Sequence, residues 1–144
     1  MLQVLALVIA ALFTGAAAYV NFVEHPARMT LPDAGALAQW RPAYKRGTLM
    51  QAPLAILGLL AGLAAWWWGG RDWRWLGGGL VIGANWPYTL LAIMPVNHRL
   101  VAAADGVGAG QARALLGRWN RLHAGRTTLG AIALALFAWA LACP

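Results

Sequence analysis

A chain of 144 residues is long enough for one domain, but 61% hydrophobic and only 10% charged residues exclude an ordinary soluble one, since globular domains average about 25% charged residues. The net charge of +7 would also suit a nucleic-acid binder, yet the spacing of the charges points to a bilayer as the partner and to no nucleic acid. Residues 1–23, 47–70, 75–98 and 127–144 contain no Asp, Glu, Lys or Arg, and a transmembrane helix needs about 20 apolar residues, with a range near 17–25. The expected fold class is therefore all-α, an integral membrane four-helix bundle forming a single domain over 1–144, with spans at about 2–23, 48–68, 75–94 and 122–142.

Span one runs to about Phe22. Gly15-Ala16-Ala17-Ala18 offers small residues for leader cleavage, but no positive charge precedes the apolar run as it does in a secretory leader, so the span is expected to be retained. Pro26 disfavours a helical residue before it, which sets the expected helix end near His25. Thr14, Ala17, Asn21 and Glu24 lie three or four residues apart and share one stripe; Arg28 extends it only if the helix passes Pro26. Residues 26–46 are the longest connection, with Trp40 and Tyr44 among basic residues suited to the headgroup layer.

Span two contains Gly58-x-x-x-Gly62 and span three Gly79-x-x-x-Gly83, the small-residue spacing that lets membrane helices approach closely. These pairs can pack inside one chain or between the copies of a homo-oligomer. Trp66, Trp67, Trp68, Trp73 and Trp75 cluster at the turn between the two spans and read as an aromatic belt rather than a ligand cage. Pro87 frees the carbonyl of Gly83 inside span three, and Pro95 is expected to break the helix. Residues 102–110 read as a small-residue turn. A helix resumes near Gln111, basic and amphipathic at first, and runs into span four. Cys143 is the only cysteine, so no intrachain disulfide can form.

The positive charges are lopsided. Arg28, Arg41, Lys45, Arg46, Arg99, Arg113, Arg118, Arg121 and Arg126 flank two segments that lie on one side of a four-span chain, against Arg71 and Arg74 on the other. The positive-inside bias makes the crowded side cytoplasmic. The expectation is an inner (cytoplasmic) membrane protein with both termini outside.

Polar groups inside a bilayer are costly and mark function by default. Here they gather at one depth, in the cytoplasmic half: Asn21, Glu24 and His25 end span one, Asn85, Trp86, Pro87 and Tyr88 interrupt span three, Asn97 and His98 follow it, and His123 and Arg126 open span four. Asn85 and Thr89 lie four apart. The Pro87 kink is either a packing feature held by interhelical hydrogen bonds or the opening of a pocket walled by Asn85, Trp86 and Tyr88. His123 shares an inward face with Leu116 and Trp119. Glu24 either pairs with an arginine at the membrane boundary or joins His25 and His123 as ligands to a metal or haem, although no HxxxH, HxxE or CxxCH spacing is present. No GxSxG elbow, P-loop, HExxH or dinucleotide fingerprint occurs.

Taken in order, Asn21-Phe-Val-Glu24-His25-Pro26, then Trp40, Tyr44 and Arg46, Asn85-Trp86-Pro87-Tyr88, Pro95-Val-Asn97-His98-Arg99-Leu100, and Trp119-Asn-Arg-Leu-His123-Ala-Gly-Arg126 resemble the anthrone oxygenase-like family of small four-span membrane proteins. The resemblance covers essentially the whole chain. Its most specific pieces are Pro-x-Asn-x-x-Leu after span three and Trp-x-x-x-His-x-x-Arg opening span four.

The resemblance implies an integral membrane oxygenase that oxidises a hydrophobic polycyclic aromatic of the anthrone type, with O2 as co-substrate. Asn85, Trp86, Asn97, His123 and Arg126 are the positions that would carry the family's role. The chemistry assigns His123 as base, since an imidazole titrates near neutrality. Asn85, Asn97 and Arg126 serve as anion stabilisers, and Trp86, Tyr88 and Trp119 stack on flat rings, with Asn21 added to the substrate contacts. Two other classes stay open at this level: a metal- or haem-dependent membrane oxidoreductase using His25, His123 and Glu24, and a non-catalytic membrane subunit or small-molecule carrier.

Overall fold

The computed structural model describes residues 1–104 and 111–143. Among these it contains four long helices and no strand: α1 (Leu2–Arg28), α2 (Asp33–Trp68), α3 (Trp73–Ala104) and α4 (Ala112–Ala142). All four are long and apolar enough to cross a membrane. Each helix packs on those before and after it in sequence, and α4 closes the ring onto α1. The result is an up-down-up-down membrane bundle. Leu5, Leu12, Leu60, Leu80 and Leu91 stand exposed on its outside, where lipid, not water, is the solvent that accepts them.

Two of the helices run further than their prolines suggest. α1 continues past Pro26 to Arg28, and α3 continues past Pro95 to Ala104. The reason is the same in both. A wider π-type turn, Val20–Glu24 in α1 and Thr89–Ile93 in α3, precedes each proline, and the amides of His25 and Met94 reach back five residues to the carbonyls of Val20 and Thr89. The extra residue in the turn absorbs the hydrogen bond that proline cannot donate. Residues expected to form a long connection are helical from Asp33 onward, with Pro42 and Pro53 inside α2. The turn expected at 102–110 is still helix through Ala104; its remainder lies outside the described residues.

The core has two parts. Near the termini and the α2–α3 turn, Ala6, Ala10, Phe13, Ala65, Trp75, Ile82, Ala133 and Phe137 form an apolar cluster, with Trp75 stacked on Phe137 at 5.4 Å. The glycine pairs meet inside this one chain: a Cβ added at Gly62 would lie 2.7 Å from Gly79 Cα, and one at Gly58 would meet Ile82. Trp67, Trp68 and Trp73 are exposed at that end, as an aromatic belt requires, and Arg71 lies over Trp67 at 4.2 Å. Trp75 departs from the belt and is a core residue. At the opposite end a second cluster surrounds Trp40, Leu100, Leu116 and Trp119. Between the two clusters lie the buried polar side chains.

Candidate functional site

Among the described residues eight polar side chains are buried: Asn21, His25, Arg28, Gln51, Asn85, Asn97, His123 and Arg126. They come from all four helices, and each needs a partner or a function at this depth.

His123 is held from behind. Its Nδ1 lies 3.1 Å from Asn21 Oδ1, which also accepts from the Thr127 hydroxyl at 2.6 Å, while Asn21 Nδ2 donates to Asn120 Oδ1 at 2.7 Å and to the Asn120 carbonyl at 3.0 Å. With the amide fixed at both ends, Nδ1 must be the protonated nitrogen, and Nε2 carries the free lone pair. Trp119 packs against the imidazole at 4.9 Å and donates its indole N–H to Asn97 Oδ1 at 2.9 Å. Arg28 lies over the same indole at 5.6 Å, binds Glu24 four residues back on the continued α1, and donates to Gln39.

Two adjacent chambers occupy this half. The inner one, about 50 Å³, is lined by Glu24 and Arg28 of α1, Tyr44 and Gln51 of α2, Met94 and Asn97 of α3, and Trp119, His123 and Arg126 of α4. At roughly 10–15 Å³ per ordered water it has room for a few waters and no ring system. The outer one, about 120 Å³, is lined by Thr48, Ala52, Ala55, Asn85, Trp86, Thr89, Leu90, Met94 and Arg126. Trp86 and Leu90 are themselves partly exposed on the bundle surface, so this chamber sits at the α2–α3 seam. An apolar cavity of about 150 Å³ holds one benzene, so a three-ring ligand must part that seam.

Thr48, Thr89, Met94 and Arg126 line both chambers. Arg126 has no acidic partner among the described residues, its Nε is buried without a hydrogen bond, and its guanidinium lies over the Phe13 ring at 5.5 Å. Glu24 is matched by Arg28, which leaves the Arg126 guanidinium as the uncompensated charge. The junction of the chambers is electropositive and poised for an anion.

The residues singled out by sequence fall into three groups. Glu24, Asn97, Trp119, His123 and Arg126 line the inner chamber, and Asn85 and Trp86 the outer one. Asn21 stands behind His123 as its hydrogen-bond anchor. Tyr88 lines neither chamber: its hydroxyl donates to the Leu122 carbonyl at 2.8 Å, and its ring fills the gap over Gly125, joining α3 to α4. His25 also lies off both linings, 6.4 Å from Trp119. No three His, Cys, Asp or Glu side chains among the described residues gather around a common point. Glu24, His25 and His123 do not come together into such a group.

Gln51 and Arg28 were not singled out. Gln51 is 3% exposed with its carbonyl oxygen unpartnered. As the one amide side chain in the charge-free window 47–70, it carried a readable signal. Arg28 was masked by Pro26.

Fold and site together define a polytopic membrane bundle with a buried, cation-lined chamber that reaches the lipid face between two helices. The anthrone oxygenase family matches residues 40–136, about two thirds of the chain, and the protein belongs to that family. It has no match among curated proteins or among solved structures.

Proposed function

We propose that this protein is a membrane oxygenase that converts a hydrophobic anthrone-type polycyclic to the corresponding quinone with O2. The observation that carries the reading is Arg126, an unpaired buried guanidinium at the junction of a polar chamber holding the His123 imidazole and an apolar chamber at the lipid-facing seam. His123 Nε2 removes a proton from the methylene between the rings, and the electron pair spreads onto the ring carbonyl oxygen, where Arg126 stabilises it. The carbanion passes one electron to O2, and the two radicals recombine to a carbon-bound peroxide, which regains the proton from His123. Loss of water with the second methylene hydrogen leaves the new carbonyl. The balance is CH2 + O2 → C=O + H2O, with no other oxidant or reductant consumed. Asn21 keeps His123 in the tautomer that presents Nε2. The substrate, soluble in lipid, enters through the α2–α3 seam rather than from water.

His123→Ala is expected to lower turnover of an anthrone about 10²–10⁴-fold while the protein remains folded in membranes; unchanged turnover in folded protein removes His123 as the base.

The site half carries nine of the eleven positive residues, which supports a cytoplasmic site in the inner membrane with both termini outside. Cys143 is exposed and is the sole thiol. A membrane-impermeant maleimide should label it in intact cells, and labelling only after lysis would reverse the orientation.

A further inference from the structure

Asn85 is 1% exposed, sits where α3 bends after Gly83, and lines the outer chamber. Its side-chain amide has only one possible orientation. Nδ2 lies 3.0 Å from the Ile82 carbonyl oxygen, to which it donates. Turning the amide over would put two oxygens at that distance with no proton between them. One N–H of Asn85 is thus committed to the Ile82 carbonyl, which fixes the amide's orientation, and its acceptor, Oδ1, is buried without a partner.

A carbonyl oxygen repels an oxyanion and accepts from a neutral hydroxyl or N–H. Arg126, on the lining of the same chamber, has only donors. The rest of the lining is apolar apart from the hydroxyls of Thr48 and Thr89. We propose that the outer chamber is a two-point recognition site, in which Asn85 Oδ1 accepts from a hydroxyl on one edge of a flat apolar ligand while Arg126 holds an acceptor oxygen elsewhere on it. Asn85 then selects ring systems that bear a free hydroxyl, and it does not stabilise the anion. The ligand class rests on the oxygenase reading, but the recognition step requires no oxidation.

The test uses the full chain in lipid nanodiscs and ligands that cannot be oxidised further. They are 2-hydroxyanthraquinone, whose hydroxyl points away from the carbonyls, its O-methyl ether, and unsubstituted anthraquinone. Binding is read by quenching of tryptophan fluorescence. The hydroxylated compound should bind roughly tenfold tighter than the other two, the value of one buried hydrogen bond. In Asn85→Leu the three affinities should converge.

Equal affinities in the native protein, a preference that survives in Asn85→Leu, or no binding of any of the three overturns the proposal. If Asn85→Leu fails to fold, the hydroxyl against methyl-ether comparison in native protein decides alone. A hydroxyl preference together with no O2 consumption on the matching anthrones sinks the oxygenase reading and leaves this one standing.

Discussion

The two ends of the bundle use the same four helices to opposite purposes. At the end holding the termini, glycine and alanine bring backbones into contact, Gly62 against Gly79 and Ala10 and Ala133 fully buried, and the described core there is apolar. Beyond that core, towards the other end, the helices stand off around two chambers and, among the described residues, bury eight polar side chains, with seven buried polar side-chain atoms left without a partner. An orphaned buried polar atom costs about 1–3 kcal/mol. One end therefore stabilises the fold and the other spends that stability on a site, so substitutions at the two ends should separate stability from activity.

The sharpest break is at Arg126. Arg126→Met keeps the stem and removes the charge. Turnover should fall about 10²–10³-fold, while resistance to unfolding in detergent should rise by about 1 kcal/mol, because an uncompensated charge leaves the membrane interior. A variant that loses stability along with activity would make Arg126 structural.

Gly62→Val should do the reverse. The new side chain meets the Gly79 backbone, which cannot yield, at a cost of about 3 kcal/mol. Turnover per folded molecule, measured after quantifying folded protein, should stay near the native value.

The smallest effect is at the α2–α3 turn. Asp72 accepts the Arg74 amide at 2.9 Å and caps α3. The Arg74 side chain, hydrogen-bonded to it, holds the Asp72 carboxyl below the usual carboxylate range. Asp72→Ala should cost about 1 kcal/mol without touching activity. Because the native pKa is depressed, that contribution is fully present above about pH 4 and is lost as pH falls through the folded-state value. Unfolding of native and variant should therefore differ equally at pH 8 and pH 5 and converge only in stronger acid.

The spans were legible because burial in lipid is a property of composition, and four charge-free windows record it directly. Their lengths were not, because a proline is read locally. Pro26, Pro42, Pro53 and Pro95 all lie inside helices, and whether a helix survives proline depends on what satisfies the freed carbonyl, a question of neighbours rather than sequence. The same applies within the site. That His123, Asn97 and Arg126 share a depth follows from counting residues along spans. That Asn85 offers an acceptor follows only from where the Ile82 carbonyl points, and that Tyr88 ties α3 to α4 follows from the absence of a side chain at Gly125. Arg28 reached the site only because α1 did not stop.

The paired π-type turns carry a consequence for the aim of everything beyond them. One surplus residue in a helix of 3.6 residues per turn advances the phase by about 100°. His25 and Arg28 on α1, and Val96, Asn97 and Leu100 on α3, lie downstream of such a shift and face inward. The two surplus residues act as vernier settings: excising one from Val20–Glu24 or Thr89–Ile93 would leave a smoother helix whose polar residues point at lipid.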